Sequence, residues 1–260
     1  MLQPLKFDRF ALSRLLFGLL ATFCFTGVAA SLINAAVKSA PALDAKWVGN
    51  LLGIVSFQGA ALIWIAYFLK EQGISWSHAF GFRNANPLKV VSWGIFGLIL
   101  VLPTSMLVLM VSNELMNSMG ISPEIQPQIQ VIQQAVQNAH PTSLATRIIE
   151  ISCGIMAITI VPLAEEILFR GLLYGALKEA GYPKLALFGS AFLFAEIHFS
   201  LPHILPLTVF AIILTFIYEA TGNLLASVIA HGLFNAVNIL WTVYEKQLAS
   251  FLERVFHFSK

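Results

Sequence analysis

"CGIMAITIVPLAEEILFRGLLYGAL", Cys153 to Leu177, is the stretch that decides the fold. A helix needs about 20 apolar residues to cross a bilayer, whereas soluble core helices draw on runs of about 10–14. This run is long enough to cross. Yet Glu165, Glu166 and Arg170 sit near its middle. Even low estimates set the cost of one charged side chain at mid-bilayer at about 2.5–3.5 kcal/mol. Three such residues together need partners and a purpose.

The rest of the chain agrees with a membrane setting. Its 260 residues are 58% hydrophobic and 11% charged, with a mean hydropathy of +0.80. Soluble domains carry about 25% charged residues, so the depletion is more than twofold. The net charge of +2 and the lack of a basic cluster argue against nucleic acid as a partner. Cys24 and Cys153 lie in separate apolar runs and read as small core residues rather than a disulfide or zinc clip.

Reading outward from Cys153 gives an all-α integral membrane protein, a bundle of about seven to eight transmembrane helices. The spans run from about Leu15 to Val37, Trp47 to Leu69, Val90 to Val111 and Leu144 to Leu177, the last interrupted by Pro162. Three more run from Leu185 to His198, His203 to Ala220 and Leu224 to Tyr244. The first run is longer than a signal-peptide core and reads as a retained anchor. Residues 1–143 form an N-terminal membrane segment, 144–244 a core that carries the chemistry, and 245–260 a polar interfacial tail. Within the third loop, Ile125, Ile129, Ile132 and Val136 share one helical face, which suggests either a surface-lying amphipathic helix on the outer side or an ordered loop with a short amphipathic turn.

Lysine and arginine in short loops set the orientation. Lys6, Arg9 and Arg14 precede the first span, Lys70, Arg83 and Lys89 fill the second loop, and Lys178 and Lys184 follow the fourth span. Residues 112–143 hold none. This places the N-terminus in the cytoplasm of a multi-pass plasma (inner) membrane protein. Seven crossings put the tail outside, although it carries Lys246, Arg254 and Lys260. Either the count is off by one or the tail runs against the bias.

The polar residues inside the spans carry the functional reading. Glu166 and Arg170 stand four apart and share a helical face, so they can pair and lower each other's burial cost. Glu165 is turned about 100° away and has no partner at that spacing. A carboxylate sheltered from water without a cation beside it is suited to act as a general base. A buried ion pair that only fixes helix packing would account for Glu166 and Arg170 but not for Glu165. His198 ends "FLFAEIH" one turn after Phe194, and His231 and Asn235 share a face in "IAHGLFNAV". Imidazole and carboxamide N–H groups aimed at one point in a dry cavity are suited to stabilising an oxyanion. The same atoms could instead bind zinc, with Glu165 or Glu166, His198 and His231 as ligands and water in the fourth position. No serine, cysteine or threonine has a nucleophile setting, so water is the expected attacker under either scheme.

Glu165-Glu166-x-x-x-Arg170, Phe194-x-x-x-His198 and His231-x-x-x-Asn235, each on its own apolar helix, together resemble the CPBP (Abi) family. That family comprises CAAX prenyl endopeptidases of the second type and bacteriocin-processing or immunity-type proteins. The resemblance runs from roughly Arg147 to Tyr244. It implies an intramembrane endopeptidase in which Glu165 and His198 activate water, His231 and Asn235 form the oxyanion hole, and Glu166 and Arg170 support the site. The family's metallopeptidase label implies a metal on Glu166, His198 and His231. The metal-free scheme is favoured here, and zinc stays as the alternative. The expected substrate is a membrane-proximal protein or peptide, with CAAX-type processing as one form of it. A non-catalytic scaffold or immunity-type protein that keeps the motif for packing is the competing class. A carrier is the third, weakened by the lack of internal duplication.

Overall fold

The computed structural model describes residues 8–37, 45–82, 86–122 and 144–256. Among them every regular element is helical. Helix α1 spans Arg9–Val37, α2 Ala45–Glu71, the single turn α3 Trp76–Ala79, and α4 Pro87–Ser118. The long fourth stretch is built in pieces: α5 Leu144–Ile158, α6 Ile160–Glu166, a π-helical segment Ile167–Tyr174, and α7 Gly175–Glu179. A π-helical turn Leu185–Gly189 leads into α8, Ser190–Glu196, and a 3-10 turn Leu201–His203 leads into α9, Ile204–Thr221. Helix α10 closes the bundle over Leu224–Phe256. The outer-loop amphipathic face (Ile125 to Val136) falls outside the described residues.

Six of these stretches are long and apolar enough to cross a membrane: Phe10–Ala29, Trp47–Glu71, Pro87–Ser118, Thr146–Glu179, Leu201–Thr221 and Leu224–Glu245. The stretch expected as a fifth full span is shorter. Leu185–Glu196 would rise about 18 Å as an α-helix, against a hydrocarbon core of about 30 Å. It is a short apolar helix lodged against α9 and the π segment, among full-length neighbours. Large apolar side chains such as Phe17, Ile63 and Met110 face outward, as lipid-facing positions do.

Polar ties between helix ends define one end of the bundle. Arg14 pairs with Glu71, the Asp8 amide donates to Gln72 Oε1 at 3.1 Å, and Lys178 Nζ meets Glu219 Oε1 at 2.6 Å. Asn223 Nδ2 donates to the Gly81 carbonyl at 2.8 Å, and the Leu224 amide to that of Phe80 at 3.0 Å. At the other end, Ser112 Oγ donates to the Pro202 carbonyl at 2.8 Å. Gly222, in the left-handed region at φ 63°, reverses the chain between α9 and α10, and Asn223 Oδ1 caps α10 by accepting from the Leu225 amide at 2.9 Å. From there the apolar run Leu224–Glu245 climbs about 32 Å, so Glu245 emerges at the opposite end from Asp8.

Two apolar cores flank the charged stretch. One joins Leu15, Ile65, Phe68, Phe80, Leu172 and Leu224. The other joins Val101, Phe169, Phe194, Phe210, Leu214 and Ala230. The connection between α2 and α4 reaches into the first. Phe80 is fully buried, and its ring lies so close to Gly171 that a Cβ there would stand 2.5 Å from the ring edge. Only a glycine lets the ring reach that depth.

Candidate active site

The site begins at a break in the fourth stretch. Thr159 leaves the helical region (φ −124°, ψ −73°) between α5 and α6. Pro162 has no N–H to return to the Ile158 carbonyl, so the α-helical ladder cannot continue through it. Carbonyls freed in hydrocarbon need other donors. Thr159 Oγ1 donates to the Ile155 carbonyl at 2.6 Å, and Asn235 Nδ2, from α10, donates to that of Ala157 at 2.9 Å. The break restarts the chain as α6, whose last two residues are Glu165 and Glu166. The π segment then carries Arg170. Such wide turns are rare and concentrate at functional sites.

Glu166 and Arg170 are paired, Nη1 to Oε1 at 2.8 Å, with both side chains almost wholly buried. The same Oε1 lies 3.0 Å from His231 Nδ1. A carboxylate accepts only, so Nδ1 carries the proton in this bond. The other ring nitrogen, Nε2, stands 3.7 Å from Glu165 Oε2. The two adjacent glutamates, pointing in different directions from the helix, thus take opposite sides of one imidazole. Arg170, Glu166, His231 and Glu165 form a continuous string of charge and hydrogen bonding. Glu166 Oε2 and Arg170 Nη2 are buried without a hydrogen-bond partner among the described residues.

Aromatic rings wall the string. The Arg170 guanidinium lies over the Phe194 ring, 4.5 Å from its centroid. His198 and His231 both flank that ring, with centroids at 4.9 and 5.9 Å. Phe210 meets His231 edge-on at 5.0 Å. Neither Phe194 nor Phe210 was expected to touch the imidazole of another helix. The only sequence signal was Phe194 one turn before His198. His198 is half-buried, and its Nδ1 is 2.7 Å from the Phe194 carbonyl. That nitrogen is the donor, and Nε2 is the one left for chemistry. Asn235 spends one amide N–H on the Ala157 carbonyl; its carboxamide has a second.

The possible metal set does not assemble. Among the described residues no group of three or more His, Cys, Asp or Glu side chains is disposed to hold an ion. Glu166 Oε1 faces a guanidinium and an imidazole N–H, and the Arg170 charge beside that carboxylate opposes a second cation there. These residues do not fit a zinc centre as arranged. Glu196 is exposed. His203 bonds to Ser200 Oγ at 2.7 Å, while Glu219 and Asn223 serve as end ties.

Fold and site together define an all-α membrane protein whose bundle encloses a buried cluster of two carboxylates, an arginine and an imidazole. Residues 148–237, which hold all seven motif residues, match the family described as type II CAAX prenyl endopeptidase, Rce1-like. The chain is also 33% identical over 92 residues to the UPF0177 protein YxdF of Lactococcus lactis subsp. lactis (strain IL1403). That alignment covers 33% of this chain and spans half the length (50%) of the relative. No solved structure matches.

Proposed function

We propose that the protein is an intramembrane endopeptidase that hydrolyses a peptide bond in a membrane-proximal substrate, with water activated by its own side chains. The observation that carries this reading is the string Arg170–Glu166–His231–Glu165 in an otherwise apolar bundle. Glu165 has no arginine partner, stands 3.7 Å from His231 Nε2, and acts as the base. Together with His198 Nε2 it draws the proton from a water molecule as the oxygen attacks the carbonyl carbon. The proton then passes to the leaving amine as the C–N bond breaks. His231, held by Glu166, presents Nε2 to the developing oxyanion, and the second N–H of Asn235 adds to it. Donating from Nε2 as well as from Nδ1 requires the ring to hold both protons in that step. Arg170 holds Glu166 in place.

Processing of CAAX-type protein tails fits the family likeness, and the bilayer is the obligatory setting. The end of the bundle that gathers Arg14, Lys178 and the α2–α4 connection faces the cytoplasm on the loop-charge argument, in the plasma membrane. The test is an unbiased substrate search with the purified full chain in detergent, wild type against Glu165→Ala. Glu165→Ala and His198→Ala should lose turnover at undiminished folded yield. If both variants cut as well as wild type, the roles assigned here are wrong. If wild type cuts nothing in that search, the cluster is a packing device in a non-catalytic scaffold.

A further inference from the structure

The break at Thr159 meets α10 at a second point. At Gly232, the residue after His231, a Cβ would stand 2.5 Å from the Ile158 carbonyl oxygen. That contact is to backbone, so neither side can swing away. Ile158 is also the carbonyl that Pro162 leaves without its helical donor. One turn further on, Asn235 donates to the neighbouring carbonyl, Ala157, at 2.9 Å. Helix α10 therefore rests on two consecutive carbonyls exposed by the break. One is met by a side-chain donor and the other by a bare Cα. His231 lies immediately before this seat on α10, and Glu165 and Glu166 lie just beyond the break on α6.

We propose that Gly232 is a positioning residue: its lack of a side chain seats α10 on the Ile158 carbonyl and so sets the register that places His231 between Glu165 and Glu166. The break and the glycine are two halves of one device. Pro162 turns the carbonyl out of the ladder, and Gly232 admits it. A methyl group at 232 has to displace α10 from α5, and the 3.0 Å bond from Nδ1 to Glu166 has no slack to follow. The inference deepens the catalytic reading above and rests on it only for what the cluster does, so its test reads geometry rather than turnover.

The full chain, labelled with 15N-histidine in detergent, should show a downfield imidazole proton for His231 Nδ1–H bonded to a carboxylate. Its loss in His231→Gln makes the assignment. Gly232→Ala should lose this resonance and most of the folded yield. Pro162→Ala restores a donor for the Ile158 carbonyl, so Pro162→Ala combined with Gly232→Ala should recover folded yield but not the resonance. A purely structural clash would return both together. Pro162→Ala alone adds no clash and should still lose the signal. The inference is overturned if wild type lacks the resonance, or if Gly232→Ala keeps it at normal yield. It is equally overturned if Pro162→Ala alone or the double variant shows it unchanged. A chain that shows the resonance but cleaves nothing removes the proposed activity and leaves this inference standing.

Discussion

Removing the guanidinium from Arg170 is the sharpest probe of the buried cluster. Arg170→Ala leaves Glu166, whose side chain is 0% exposed, with the His231 N–H as its one remaining hydrogen-bond partner among the described residues. Breaking a buried pair by deleting one member costs about 3–5 kcal/mol, because the charge left behind has lost its compensation. Loss of the guanidinium over Phe194 adds about 1–2 kcal/mol for a desolvated cation–π contact. At 1.4 kcal/mol per tenfold, the pair alone amounts to about two to four powers of ten in the folded-to-unfolded ratio. That approaches the whole stability of a marginal protein. The assay is folded yield by size-exclusion chromatography in detergent, with thermal unfolding of whatever folds. Arg170→Met combined with Glu166→Gln removes both charges and should recover much of the loss, since neutral replacements of buried pairs are often tolerated. Arg170→Ala at wild-type yield and midpoint would refute the reasoning. So would a double variant no better than the single one.

Phe80→Ala opens a ring-sized cavity against Gly171 and should destabilise by about 3–5 kcal/mol, seen as a lowered thermal midpoint. Lys178→Ala removes a half-exposed pair with Glu219 and should cost under about 1 kcal/mol, within the scatter of the same melt. Chelator treatment should leave turnover intact. Activity lost to the chelator and restored by added zinc would instead support the metal scheme for water activation.

The spans were legible because hydropathy alone decides what enters a bilayer: α1, α2, α4, the Leu144–Glu179 stretch, α9 and α10 all fall on apolar runs. The Glu166–Arg170 pair was legible too, because i,i+4 spacing is local. What failed to show was whatever depends on a second helix. Nothing in "FLFAEIH" says that α8 stops after Glu196, because its length is set by α9 and the π segment it packs on. The π turn has no signature of its own in "ILFRGLLY". That both nitrogens of His231 meet a glutamate depends on how α10 sits against α6. The exposed backbone at Thr159 explains why one Asn235 N–H goes to Ala157, and spacing along α10 could not reveal that. In "GISWSHAFGF" only the flanking charges carry a local signal, and nothing in the stretch marks Phe80 as the residue that reaches Gly171.

The stretch of chain that similarity singles out, 148–237, does not coincide with where the forces run. Phe80 lies well outside it and still presses on the turn that holds the arginine. A fragment trimmed to the matching segment would leave a hollow at Gly171 open to lipid tails, with the guanidinium one residue away. Distant relatives compared over the motif alone would then seem free to vary in the very loop that braces it, and grafting the motif helices onto another bundle would have to bring an aromatic wedge along.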